Sequence, residues 1–387
     1  MTTTDEEKKE PRKKKRSLLG RLVWLLVVLA AVLGVAALTT MEDGRHFAAL
    51  RRWLVYGEGS ATKDAYAYAP NPANRYGLLG DGLLVVSPNT VQLHRDDGSM
   101  IYDLPLQVSD PQLSVGNRLA AVCDVGGSAL YVLDGTGVQR TLSKSGELCY
   151  YGARMNGGDY LTVTEQANGY KSSVSVYDSA GEALFTFDSY DSYVSDAVAT
   201  DDGRSLVAVR LEPYGGVYAS RVLVYDIATG QLRSSTPIRD GLVLDLAVTG
   251  DRILCLCDKR LTMLSLDGET LLDLAYGSLY LNDYALGGKD FCALLLGRYQ
   301  AGNVGTLTTY GPDGGAIASM DLTEEVLDMA AAGNYLAVLY DESLAVYDRE
   351  LNEKARLDGT DYASQIRLES NGAVLLISGS SAWSFLP

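Results

Sequence analysis

Two hydrophobic patterns divide the chain. From Leu22 to Met41 no charge interrupts a run dominated by Leu, Val and Ala. At the helical rise of about 1.5 Å per residue these positions span roughly 30 Å, one hydrocarbon core, so the pattern predicts a transmembrane helix over 22–41. Beyond residue 64 no helix-length period appears. Short apolar runs of about five to seven residues alternate with turn signals every 8–12 residues, which predicts an all-β region.

That region repeats. A tight turn followed by an apolar strand recurs at Gly80-Asp81-Gly82, Gly116-Asn117, Gly157-Gly158-Asp159, Asp201-Asp202-Gly203, Gly250-Asp251, Gly287-Gly288-Lys289, Gly333-Asn334 and Asn371-Gly372. The mean interval is about 41 residues, near the ~40–45 of propeller blades. A second marker is an apolar strand ending in an Asp-led turn, as at Val174–Asp178, Val222–Asp226 and Leu344–Asp348, with weaker copies at Leu130–Asp134 and Met263–Asp267. There the Asp side chain caps the turn backbone. A third marker opens several repeats, at Asp196, Asp245, Asp283 and Asp328, each followed closely by Ala. Small residues there suit a crowded innermost strand.

Each repeat therefore reads as four antiparallel strands, a to d from the inside outwards. The expected fold is an all-β, eight-bladed β-propeller, or seven-bladed if the first or last repeat is misjudged. The last repeat shows three strands, around Gln365–Glu369, Ala373–Ser378 and Ala382–Leu386. Ala65–Ala69 supplies the missing outer strand and closes the ring from both termini.

Charge orients the chain. Residues 1–21 carry eight Lys/Arg and four Asp/Glu, net +4; the remainder carries 25 and 45, net -20. Basic residues before the apolar run place the N-terminus in the cytoplasm and everything after residue 41 outside. The expected organisation is a basic cytoplasmic tail (1–21), a transmembrane helix (22–41), a juxtamembrane amphipathic segment and linker (42–63), and a propeller ectodomain (64–387). Within 42–63, Phe47, Leu50 and Leu54 fall at helical spacing, Trp53 suits the headgroup level, and Gly57–Ser60 reads as a linker. A cleaved signal peptide ending at Val35-Ala36-Ala37 is the rival, but the apolar run exceeds the usual ~7–15 residues. The acidic ectodomain argues against nucleic acid as a partner.

Candidate chemistry is sparse. The only histidines are His46 and His94, which disfavours imidazole catalysis or ligation. Of the five cysteines, Cys123, Cys255, Cys257 and Cys292 lie in apolar strands as small hydrophobes, and Cys149 does not. The spacing of Cys255 and Cys257 is not that of common zinc sites. Acidic runs at Asp96-Asp97, Asp201-Asp202 and Asp188–Asp191 lack the EF-hand spacing, and turn chemistry explains the first two. The third, between blades, stays open to a metal reading, and no metal ligand is assigned.

The repeat region resembles the quinoprotein-like and WD-repeat propellers, most clearly at Asp226-Ile-Ala-Thr-Gly230-Gln-Leu232. Quinone-dependent relatives look richer in blade tryptophans; here the propeller holds only Trp383, and Arg233 follows Leu232. No cofactor is expected. The chain also resembles a family of single-pass, membrane-anchored propellers of Gram-positive bacteria, to which no activity is attached. Leu79–Val86 and Gly169–Asp178 carry that likeness.

Tyrosine is over-represented, with 25 Tyr against 5 Phe. Tyr177, Tyr225 and Tyr347 are strand residues suited to packing. The rest are placed by topology: loops a–b and c–d form one face of a propeller, and loops b–c and d–a the other. Long b–c loops carry Tyr170, Tyr214, Tyr218, Arg298 and Tyr299. The d–a connections carry Tyr150, Tyr151, Tyr190, Tyr193, Tyr276 and Tyr280. Tyr and Arg are the residues of binding surfaces, although Tyr is also a strand former that drifts into loop ends.

The expected function is a non-enzymatic, membrane-tethered binding or scaffold module outside the cytoplasmic membrane, docking an envelope protein or peptide on the tyrosine face. Recognition of a cell-wall glycan is the alternative, and a hydrolase or lyase a distant third. An enzyme calls for a deep channel pocket with two carboxylates of raised pKa. A scaffold calls for a broad, shallow aromatic patch.

Overall fold

The computed structural model describes residues 66–387 apart from Asp81, Asp96, 145–147 and Asn168. The expected tail, transmembrane helix and juxtamembrane segment lie outside the described residues.

Among the described residues, eight four-stranded antiparallel sheets follow one another. Seven are continuous in sequence, over 75–105, 111–143, 150–189, 194–238, 243–275, 280–322 and 326–358. The eighth joins Gln365–Leu368, Val374–Ile377 and Ser381–Phe385 to the N-terminal strand Tyr66–Ala67. These are blades 1 to 8 of the eight-bladed propeller.

Burial explains the apolar runs. Strand b is covered on both sides by neighbouring blades, so Gly82–Val86 and Ala120–Asp124 are buried at every position. Such strands read as continuous hydrophobic segments. Strand d lies at the rim and alternates, as in Leu232–Ile238 and Glu353–Asp358. The core is correspondingly divided into eight clusters, each between two adjacent blades. Four cysteines, Cys123, Cys255, Cys257 and Cys292, are buried, and all five are free thiols.

The repeated a–b turn has a packing reason. Gly116, Gly287 and Gly333 each press against the carbonyl oxygen of a residue in the next blade, Gly157, Ala331 and Ser370 respectively, where a Cβ would collide. Each turn thus abuts its neighbour, which makes glycine recur about every 41 residues.

The ring closes as the sequence predicts. Tyr66 pairs with Ala382 and Ala67 with Ser381. The Tyr66 ring is buried between blades 8 and 1 and meets His94 edge-on at 6.2 Å. The Tyr68 hydroxyl lies 2.9 and 2.8 Å from the carbonyl oxygens of Ser378 and Ser381. Burial lowers the pKa of His94 and raises that of Tyr68.

Candidate binding face

All eleven expected residues map to the face formed by b–c and d–a connections, but not all present their side chains there. The most prominent feature is the b–c hairpin of blade 4. Its strands, Ser205–Tyr214 and Val217–Asp226, are ten residues each and stay paired to Pro213–Tyr218 and Tyr214–Val217. The corresponding b and c strands of other blades have four to seven residues. Gly215 and Gly216 close the tip with φ of 60° and 85°. Two successive positive φ values are what a two-residue hairpin turn demands, and only glycine adopts them freely.

Below the tip, Glu212 is gripped by Arg210 and by Arg221, whose Nε donates at 2.8 Å. Burial opposes the Glu212 charge, yet the hydrogen bonds and charges of the two arginines outweigh it and hold its pKa down. The hairpin is therefore braced, and it holds Tyr214, Val217 and Tyr218 in solvent, Tyr218 with 65% of its surface exposed. Arg239, from the connection to blade 5, lies 5.5 Å from the Tyr214 ring centroid.

A second group sits beside it, between blades 3 and 4. Tyr170 and Tyr190 meet edge-on at 5.8 Å, and Tyr151 and Tyr193 at 6.3 Å. Lys171 lies over Tyr193 at 5.6 Å. Tyr170, Tyr190 and Tyr193 are exposed, whereas Tyr151 is partly buried against the blade 3–4 core. Tyr280, Arg298 and Tyr299 are exposed on blade 6, Tyr299 at 74%.

Two residues depart from expectation. Tyr150 and Tyr276 are each only 4% exposed. Tyr150 forms a bridge with Val125, and its N–H donates to Gly127 O at 2.8 Å, which turns its ring into the blade 2–3 core. Tyr276 is tied by its N–H to Lys259 O at 3.0 Å and packs into the blade 5–6 core. Connections that dock on the preceding blade bury their first tyrosine.

The innermost strands add a feature the sequence did not reveal as a unit. In blades 3 to 7 strand a begins with a β-bulge, and in blades 4 to 7 the residue after it is Asp196, Asp245, Asp283 or Asp328. A bulge inserts an unpaired residue and re-aims the side chains beside it. Here it leaves Leu244 (60% exposed) and Leu327 in solvent above a layer of carboxylates lining the channel. Arg154 of blade 3 reaches across them: its Nη2 lies 2.6 Å from Asp196 Oδ2 and 3.0 Å from Asp245 Oδ1, and its Nη1 donates to Leu246 O at 3.0 Å. Asp328 accepts the Ile366 N–H at 2.7 Å and lies 3.9 Å from Arg367. Asp283 accepts the N–H of Tyr284 at 2.7 Å, and among the described residues it forms no ion pair. Burial pushes the Asp196 pKa up to about 6 in spite of Arg154. Burial, with the Asp328 charge added, pushes that of Asp283 up to about 7.

Raised carboxylates are the mark set above for an enzyme, and an exposed aromatic patch is the mark of a scaffold; the molecule has both. Two of the raised carboxylates have structural work. Asp328 staples blade 7 to blade 8, as Gln112 staples blade 2 to blade 3 by accepting the Ala153 N–H at 2.9 Å. Asp196 neutralises Arg154. The signal in the sequence was the aspartate recurring at one position of four repeats; its partners lie 42 and 91 residues away.

An open recess of about 490 Å³ lies at blade 7 on the same face, lined by Glu324, Glu342, Ser343, Arg356, Asp358, Gly359 and Asp361. Arg356 is already engaged by Glu353 at 2.8 Å and by Ser343 Oγ at 3.1 Å. The four lining carboxylates form no ion pair among the described residues.

The sequence profile of a family of unknown function, DUF5711, matches residues 62–381. The chain belongs to this family. No curated protein matches it in sequence. Several solved structures share its fold. BamB from Moraxella catarrhalis is 14% identical at a TM-score of 0.55, over 84% of this chain and 97% of that one. The computationally designed Ika8 protein is 13% identical at 0.61, over 84% and 100%. The C-terminal WD40 domain of Sif2 is 14% identical at 0.55, over 85% and 98%. At such identities the likeness carries the fold, and function has to be argued from the site.

Proposed function

We propose that this DUF5711 chain is a membrane-tethered, non-enzymatic propeller outside the cytoplasmic membrane, docking an envelope protein or peptide on the b–c/d–a face. The braced blade 4 hairpin carries the reading. It spends extra strand length and a glycine turn on holding two tyrosines and a valine in water, which core packing does not require. Large, stiff side chains with polar tips lose little entropy on contact, so such a tip suits recognition. The charge-free run over 22–41, with its basic flank, supports the tether and its orientation.

The test is site-specific photo-crosslinking in living cells, with the probe replacing Tyr214 and, as control, Asp202 on the opposite face. A discrete protein adduct at Tyr214 and none at Asp202 is expected. Absence of an adduct at Tyr214, with co-sedimentation of the purified chain and cell wall, transfers the face to glycan.

A further inference from the structure

We infer that the docking face takes an extended segment of a partner protein in which basic side chains stand beside apolar ones. This rests on the protein-binding reading above and adds the chemistry of the partner. The apolar half of the requirement comes from exposure. Tyr218 and Val217 at the hairpin tip, Tyr190 beside it, and Leu244 and Leu327 at the bulges all lie in solvent on one face. None is needed by an interblade cluster.

The charged half comes from an imbalance on that face. Most of its cations are already engaged, while Arg298 and Lys259 form no ion pair among the described residues. Lys171 and Arg239 lie over tyrosine rings, Arg260 is paired with Asp240 and Asp273, and Arg356 is held by Glu353. Its anions are not. The blade 7 recess presents Glu324, Glu342, Asp358 and Asp361, with the already engaged Arg356, around about 490 Å³ of open space, and Asp283 in the channel forms no ion pair among the described residues. A lysine or arginine side chain that enters the recess gains charge-assisted hydrogen bonds, while apolar neighbours cover Leu327 and Leu244. A second copy of this acidic ectodomain brings like charge to like charge and is disfavoured as occupant.

The experiment pans a random twelve-residue display library on the purified full-length chain and on the variant Glu342→Gln/Asp358→Asn/Asp361→Asn, with thermal melting as the folding control. Peptides enriched on the parent chain are expected to place Lys or Arg within two residues of an aromatic or aliphatic side chain. A selected peptide should bind the neutralised variant at least tenfold more weakly, and its affinity for the parent should fall with added salt. Enriched peptides without excess basic residues, or equal affinity for the neutralised variant, overturn the inference and leave the protein-docking reading standing. Absence of any enriched peptide also overturns it; the Tyr214 adduct decides the docking reading separately.

Discussion

The two faces of the ring use the same residue type to opposite ends. On the a–b/c–d face aspartates are consumed by their own turns. Asp226 Oδ1 accepts the Thr229 N–H at 2.8 Å, Asp134 Oδ1 that of Thr136 at 2.7 Å, and Asp348 Oδ1 that of Asn352 at 2.9 Å. All three carboxyls titrate below the ordinary carboxylate range. For Asp348, burial opposes the charge, but Lys354 and Asn352 prevail and draw the pKa down to about 2. On and beneath the other face, the recess carboxylates form no ion pair among the described residues, and Asp196, Asp283 and Asp328 of the channel titrate high, because burial outweighs the donors they have. An aspartate that completes a turn contributes to folding; one left without a cation costs stability and is free for another role.

The contrast can be broken first at its strongest link. Arg154→Met removes the cation shared by blades 3, 4 and 5 and leaves Asp196 and Asp245 facing each other. Because these groups are only partly buried, a loss of about 3 kcal/mol is expected at neutral pH, at the low end for breaking a buried pair. Denaturant titration measures it, and an unchanged midpoint shows the network to be ornamental.

Asp283→Asn should act in the opposite direction. Its folded pKa of about 7 lies above the unfolded value of about 3.9. The native state therefore binds the extra proton, and wild-type stability falls as pH rises from about 4 through 7. The amide mimics the neutral acid; the full shift corresponds to about 4 kcal/mol, and because Asp283 is only partly buried about half of that, ~2 kcal/mol, is expected as the variant's gain at pH 8, with nothing at pH 3.5. A flat difference across that range sinks the assignment.

The smallest effect belongs to the turn face. Asp348→Ala should cost about 1 kcal/mol at pH 7, through the lost turn hydrogen bond and Lys354 contact. That contribution is present above pH 4 and disappears as pH falls through about 2. Peptide binding should be unaffected.

The eight blades and the closing strand were legible along the chain. The blades depend on a repeat with a local cause, such as Gly116 pressed against the next turn, and the closing strand, whose partners lie at the other end of the chain, shows through the outer strand that the last repeat lacks. What sequence order could not reveal was direction and partnership. Tyr150 and Tyr151 are adjacent, yet one enters the blade 2–3 core and the other packs towards blade 4. The bulge between Tyr150 and Gly152 decides which. Aspartates 196, 245, 283 and 328 were visible as a marker, but their common layer exists only once the ring is closed and Arg154 reaches two blades onward.

That closure has a mechanical side. The chain passes into the ring through Tyr66–Ala67, the outermost strand of the last blade, held by a two-pair ladder. Any tension transmitted along the preceding residues falls first on that ladder, then on the buried ring of Tyr66 and the hydroxyl of Tyr68. The exposed tyrosines of blades 3, 4 and 6 lie on other blades than this seam. A pull from the N-terminal side would load this seam of blade 8 before it reached the blades that carry those tyrosines, so the ring would open at its clasp first.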